Sequence, residues 1–152
     1  KLQMKDGLIC GCGDTGCLEA FASGPAIVAM AQDYIKGGKS TKFREMAAAE
    51  GGEITPYMVA KAAEEGDPVA KRIFEIVGEY IGIGLTSVIN LLNPERVIIG
   101  GGVAESGELL LAPIRKTIKE RAMVVAGNAV EIVPAQLGNS AGVIGASMLI
   151  EG

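Results

Sequence analysis

A chain of 152 residues with 49% hydrophobic and 21% charged side chains is long enough for one domain and apolar enough to bury a sizeable core, which excludes an intrinsically disordered polypeptide. It contains no histidine, so no imidazole within it can act as base, proton shuttle or zinc ligand, and Ser-His-Asp hydrolases and H-E-x-x-H metalloproteases are excluded. Acidic residues (18) outnumber basic ones (14), giving a formal charge of −4 and disfavouring broad attraction to nucleic acid, whereas a nucleotide-sized anion needs only a local site.

The segment KLQMKDGLI alternates apolar and polar residues and predicts an edge strand entering a cysteine cluster. No secretory or lipidation motif follows Lys1, which leaves the cytoplasm as the expected compartment. From Leu18 to about Tyr34 the residues favour helix, broken at Ser23-Gly24-Pro25 into two pieces, because proline sits only in the first turn of a new helix. A short charged helix follows, bounded by the turn-rich stretches Gly37 to Lys42 and Glu50 to Gly52, and reads as a solvated surface excursion.

Thr55-Pro56 and Asp67-Pro68 each set a capping side chain before a proline at the first helical position, so two helices begin there. The second is the longest element, with apolar residues at three- and four-residue steps from Val69 to Leu92. Its charges lie in the first half, while the far end is apolar all round and carries Gly82 and Gly84. That end is expected to be buried, with close approach at the glycines.

After Asn93-Pro94, RVIIGGGV predicts a strand and a glycine turn, followed by a helix from about Ser106 to Ala122 that contains Pro113. A second strand is expected at Glu131 to Pro134 and a last helix at Ser140 to Ile150, with Gly142 and Gly145 on its packing side. The stretch Ile132 to Ile150 carries no charge, but Pro134, Gln136, Gly138, Asn139, Ser140 and Gly142 mark it as strand, loop and buried helix instead of a membrane span. Strands alternating with helices predict a helix-rich α/β fold with parallel neighbours, and two or three short strands are too few for an ordinary complete sheet.

Cys10, Cys12 and Cys17 fall within eight residues in a C-x-C-x4-C spacing, with Gly11, Gly13 and Gly16 between them. That is poor geometry for a disulfide framework and good geometry for wrapping a soft-ligand ion such as zinc. Three ligands are evident where a structural site needs four. The fourth is water, a nearby carboxylate or a group from outside these residues, and three buried unligated cysteines remain the plainer alternative. Glu19 near a helix amino terminus is explained by the dipole alone, and Ser23 by helix capping. The triplet Gly100, Gly101 and Gly102 is explained by a tight strand-to-helix turn, although such a turn also lets backbone approach a nucleotide.

The segment GLICGCGDTGCLEAFASG resembles the zinc-binding signature of the ROK family (repressors, open reading frames and sugar kinases), C-x-C-G-x-x-G-C-L-E. LLNPERVIIGGGVAESGELLLAPIR and LGNSAGVIGASMLI are similar to the C-terminal half of that family's kinases, so the resemblance covers essentially the whole chain. It implies an α/β, actin-like (ribonuclease-H-like) ATPase fold, of which residues 1–152 would be most of the C-terminal lobe, with a zinc loop at 8–19 and a nucleotide-side strand, glycine turn and helix at 96–122. The N-terminal lobe, with its phosphate-binding D-x-G-x-T and catalytic aspartate, is expected to lie outside these residues.

Carried over residue by residue, the resemblance makes Cys10, Cys12 and Cys17 ligands of a structural Zn²⁺, with the family's fourth ligand, a histidine in an E-x-G-H motif, falling before Lys1. It makes Glu19 an acceptor of sugar hydroxyls, with Ser23 in support of the same loop. Gly100, Gly101 and Gly102 would border the adenosine of ATP, bound with Mg²⁺, and Val103 and Ala104 would line the adenine pocket. The implied activity is ATP-dependent phosphorylation of a hexose, glucose foremost, by a cytoplasmic homo-oligomer that binds neither nucleic acid nor membrane; this chain alone is expected to be inactive. The alternatives are the ligand-binding lobe of a sugar-responsive repressor of the same family and an autonomous zinc-stabilised interaction domain.

Overall fold

The computed structural model describes residues 7–149. The expected edge strand lies mostly outside them; within them, Ile9 forms an isolated antiparallel bridge with Thr15. Helix α1 (Leu18–Phe21) and helix α2 (Gly24–Lys36) are the two predicted pieces, separated by Ser23, whose Oγ accepts from Ala26 N–H at 3.3 Å. Capping therefore accounts for Ser23.

Thr41 caps α3 (Lys42–Ala49) and Thr55 caps α4 (Pro56–Glu64), each hydroxyl accepting a backbone N–H at 3.3 Å. Asp67 caps α5 (Pro68–Leu92), its Oδ1 accepting from Val69 and Ala70 N–H at 2.8 and 3.0 Å. Its Oδ2 also accepts from the N–H of Lys42 at 2.7 Å, so one buried carboxylate starts two helices. The expected surface excursion is correspondingly anchored: Thr41, Phe43 and Ala47 are buried, because α3 packs against α4.

Helix α5 ends at Asn93, held in the left-handed region at φ +44°, and Pro94 prevents continuation. Strand β1 (Arg96–Ile99) then leads through the glycines into a 3₁₀ turn (Gly102–Ser106), Gly107 and α6 (Glu108–Arg121). A single helix was expected from about Ser106; it begins two residues later, because Gly107 at φ +56° separates it from the tighter turn. A further helix, α7 (Val124–Ala129), has no counterpart in the sequence reading. Its sequence VVAGNA has weak helical propensity, and its start is capped from a distance by Asn90, whose Oδ1 accepts from Met123 N–H at 2.9 Å.

Strand β2 (Glu131–Pro134) pairs in parallel with β1, from Arg96 opposite Glu131 to Ile99 opposite Pro134, as predicted for strands joined by a helical crossover. The chain ends in a 3₁₀ turn and α8 (Ala141–Met148). Gly142 and Gly145 do not face a packing partner: a Cβ on either would meet nothing within 4 Å, and residues 142–149 are exposed.

The core is built on α5, against which α2, α4 and α6 pack, burying Ile27, Val59, Ile73, Phe74, Val77, Leu110, Leu111 and Ile114. Helices α5 and α6 approach closely because Gly78 faces Pro113 and Gly82 faces Thr117. By length and apolarity α5 also suits a membrane span; Ile73, Phe74, Val77 and Ile89 of it join the core, while 22% of its most apolar 18-residue window is buried. The expectation that its far end is buried fails: Ile89 is buried, yet Leu91 is 82% and Leu92 69% exposed. At that end Asn90 accepts a hydrogen bond from Met123 N–H at 2.9 Å, while Leu91 and Leu92 beside it remain uncovered among the described residues.

Candidate functional site

The cysteine loop is a small hairpin held by its own backbone. Gly16 N–H donates to Leu8 O at 3.1 Å, Cys10 N–H to Asp14 O at 2.8 Å and Gly13 N–H to Cys10 O at 2.9 Å. Gly13 at φ +84° and Gly16 at φ +73° make the reversals that a side chain would strain. The result gathers Cys10, Cys12 and Cys17 so that their three Sγ atoms lie within 4.8 Å of one another, Cys12 and Cys17 at 3.6 Å.

That donor set fits zinc. A tetrahedral ion with Zn–S bonds of about 2.3 Å separates its sulfurs by about 3.8 Å, within the span the loop already provides. Backbone hydrogen bonding at Asp14, followed by the neighbouring thiols, holds Cys12 below its ordinary pKa, whereas Cys17, hydrogen-bonded to Cys12, is pushed up to about 11. Three adjacent thiols resist joint ionisation unless a cation compensates their charge. One zinc ion is expected to bind per chain, with Cys12→Ser weakening it by more than about tenfold in a competition titration against a colorimetric chelator. Affinity should fall as pH is lowered, since Cys17 must lose its proton to become a ligand; a pH-independent affinity equal in the variant would contradict thiolate ligation.

Glu19 lies in the first turn of α1, exposed, and its Oε2 accepts from Cys10 Sγ at 3.8 Å. Its carboxylate is therefore held at the edge of the cysteine cluster. Phe21, two residues on, packs its ring against Tyr80 of α5 at 4.8 Å, which ties the loop to the core.

The glycine turn serves a second concavity. Gly101 sits at φ +92°, and a Cβ on Gly100 would lie 3.3 Å from Ala135 Cβ, so close packing against the segment after β2 explains Gly100. Gly102 and Val103 instead line a cleft of about 280 Å³ together with Glu105 and Ser106 of the 3₁₀ turn. Gly100, Gly101 and Ala104 are not among its lining residues, and Ala104 is buried. The opposite wall is α4, through Pro56, Tyr57, Lys61 and Glu64, with Ile27 and Phe74 below. Sequence reasoning missed this wall: Thr55-Pro56 marks the start of α4, but nothing in its spacing reveals that its first turns face a glycine turn some 45 residues later. A larger groove of about 640 Å³ between α2 and α3, lined by Ile35, Lys36, Arg44 and Ala47, contains none of the metal-, sugar- or nucleotide-site candidates.

The helix-rich α/β unit with its few strands matches part of a sugar-kinase fold. The chain belongs to the ROK family, whose model matches residues 2–152. It is 38% identical over 155 aligned positions to a glucokinase of Streptomyces coelicolor, an alignment covering 97% of this chain and 47% of that protein. It superposes with a TM-score of 0.81 on the crystal structure of a ROK family glucokinase from Streptomyces griseus in complex with glucose and AMPPNP, at 37% identity over 99% of this chain and 49% of that one. A xylose repressor of Caldicellulosiruptor bescii is 33% identical over 93% of this chain and 35% of its own length. The chain thus spans about half the length of these glucokinases and about a third of the repressor.

Proposed function

We propose that residues 1–152 are the C-terminal lobe of an actin-like, ATP-dependent hexose kinase, with glucose as the sugar, and that the intact enzyme works in the cytoplasm. The observation that carries this reading is the superposition of 99% of the chain on a glucokinase described with glucose and AMPPNP. In this reading the loop at 8–19 presents Glu19 to sugar hydroxyls, which its exposed carboxylate can accept. Zinc held by Cys10, Cys12 and Cys17 would supply rigidity to that loop, and those residues fit it.

The strand, glycine turn and helix at 96–122 form the nucleotide side. Gly102 and Val103 border the cleft where the adenosine of Mg²⁺-ATP would lie, and Gly100 and Gly101 shape the turn that presents them. Tyr57 offers an aromatic face and Lys61 a cation on the opposite wall. The base that takes the hydroxyl proton is assigned to the other lobe, so these 152 residues alone should not turn over.

The test is ATP- and glucose-dependent ADP release by the purified full-length protein. Turnover is expected, with Glu19→Gln lowering kcat/KM for glucose by roughly 10- to 100-fold, as for loss of a hydrogen bond to a charged acceptor. Comparable turnover by the isolated 152 residues would sink the assignment of the base to the other lobe. The match to the xylose repressor supports a second reading, a sugar-binding lobe in a transcriptional regulator. Sugar binding and specific DNA binding without ADP release by the full-length protein would select it.

A further inference from the structure

Glu19 sits on a four-residue helix that has little means of orienting itself. One turn makes too few backbone bonds to offset the ordering of its residues, Cys17 provides no side-chain cap, and the turn closes through Ala20 N–H to Cys17 O at 3.1 Å and Ala22 N–H to Leu18 O at 2.9 Å. The direction of α1 therefore depends on the surface beneath it. Leu18 and Phe21, three residues apart, lie on one side of the turn, while Tyr80 and Gly84, four apart, share one face of α5.

The two pairs interlock. Phe21 is buried, with its ring tilted 41° against that of Tyr80. Leu18, 36% exposed, lays the end of its side chain on Gly84: its Cδ2 is 3.1 Å from the position a Cβ there would take, so an added methyl would press that end aside by a few tenths of an ångström. Tyr80 is a wall and Gly84 a notch, and Glu19 follows Leu18 directly in the chain.

We propose that the Tyr80–Gly84 seat on α5 positions Glu19 for sugar binding, with glycine at 84 letting Leu18 pack directly onto the helix. This rests on the reading of Glu19 as a sugar ligand given above. Gly84 is then a positioning residue and touches no substrate. Glycine within a helix is otherwise unfavourable relative to alanine, so Gly84→Ala should strengthen α5 while displacing Leu18, the flexible neighbour. Stability and sugar affinity should consequently move in different directions, which a purely structural role would not produce.

The experiment measures glucose and AMPPNP affinity by calorimetry, and the thermal midpoint, in the full-length protein and its variants. Gly84→Ala is expected to weaken glucose roughly fivefold through displacement of Glu19, with AMPPNP affinity unchanged and the midpoint unchanged or raised. Leu18→Val in that background removes the crowded methyl and should restore glucose affinity to within about twofold of the unsubstituted protein. Wild-type glucose affinity in Gly84→Ala, beside a clear loss in Glu19→Gln, would overturn the role of Gly84 and leave that of Glu19 standing. Wild-type affinity in Glu19→Gln, or no glucose binding by the unsubstituted protein, would overturn the underlying reading and the proposal together. A lowered midpoint with loss of both ligands would make Gly84 structural only and also overturn it.

Discussion

Replacing Asp67 with alanine is expected to lower the free energy of unfolding by about 3–5 kcal/mol. This carboxylate is 4% exposed and accepts three backbone N–H groups, from Val69, Ala70 and Lys42. Two of those donors belong to the first turn of α5 and the third begins α3. A lost cap costs about 1 kcal/mol, and a lost hydrogen bond to a charged acceptor about 1.5–3 kcal/mol. The dipoles of two helices lose their shared negative partner as well. Asparagine retains one acceptor oxygen and should recover part of the loss. Urea denaturation gives the measurement; a change below about 1 kcal/mol for alanine would show that α3 and α5 do not depend on this shared cap.

Gly82→Ala should cost about 2–3 kcal/mol, because the new methyl overpacks the interface between α5 and α6. Its Cβ would lie 2.5 Å from Thr117 Cβ and 3.1 Å from the carbonyl oxygen of Ile114. The first is the branch point of a side chain and the second is backbone, so no rotamer change relieves both. Gly78→Ala meets Pro113 Cγ at 2.5 Å and Leu110 O at 3.1 Å, and should cost a similar amount. Alanine gains about 1 kcal/mol of helix propensity over glycine at either site, too little to offset separation of the two helices. A Gly82→Ala variant as stable as the parent in urea would contradict the close approach. Gly84 provides the contrast on the same helix, since its neighbour is the end of the Leu18 side chain.

Much of the fold was legible because its signals are local. Ser23 with Pro25, Thr55-Pro56 and Asp67-Pro68 announce helix starts through bonds made within three residues, and each cap is found. The strands at Arg96–Ile99 and Glu131–Pro134 were legible from short β-branched runs, and their parallel pairing from the helical crossover between them. The cysteine cluster was legible for the same local reason, as a loop of eight residues with three interspersed glycines can bring its sulfurs together by itself. Less was legible where an apolar residue lacked an identified neighbour. Apolarity predicts burial for the far end of α5, and small size predicts packing for the glycines of α8, yet Leu91, Leu92, Gly142 and Gly145 meet solvent among the described residues. Hydrophobicity records a preference for burial and does not identify the surface that satisfies it.

By itself, the sequence of 152 residues determined the order and type of most elements, the three-cysteine cluster and the exclusion of any histidine-based chemistry within the chain. Tertiary structure decided the pairings between distant residues: the second helix capped by Asp67, the Asn90 cap on α7, the α4 wall facing Gly102 and the seat of Leu18 over Gly84. The physical reason is range. A cap, a turn or a cysteine spacing is satisfied by neighbours a few bonds away, whereas a notch in α5 acquires a role only when packing of the whole core brings another helix over it.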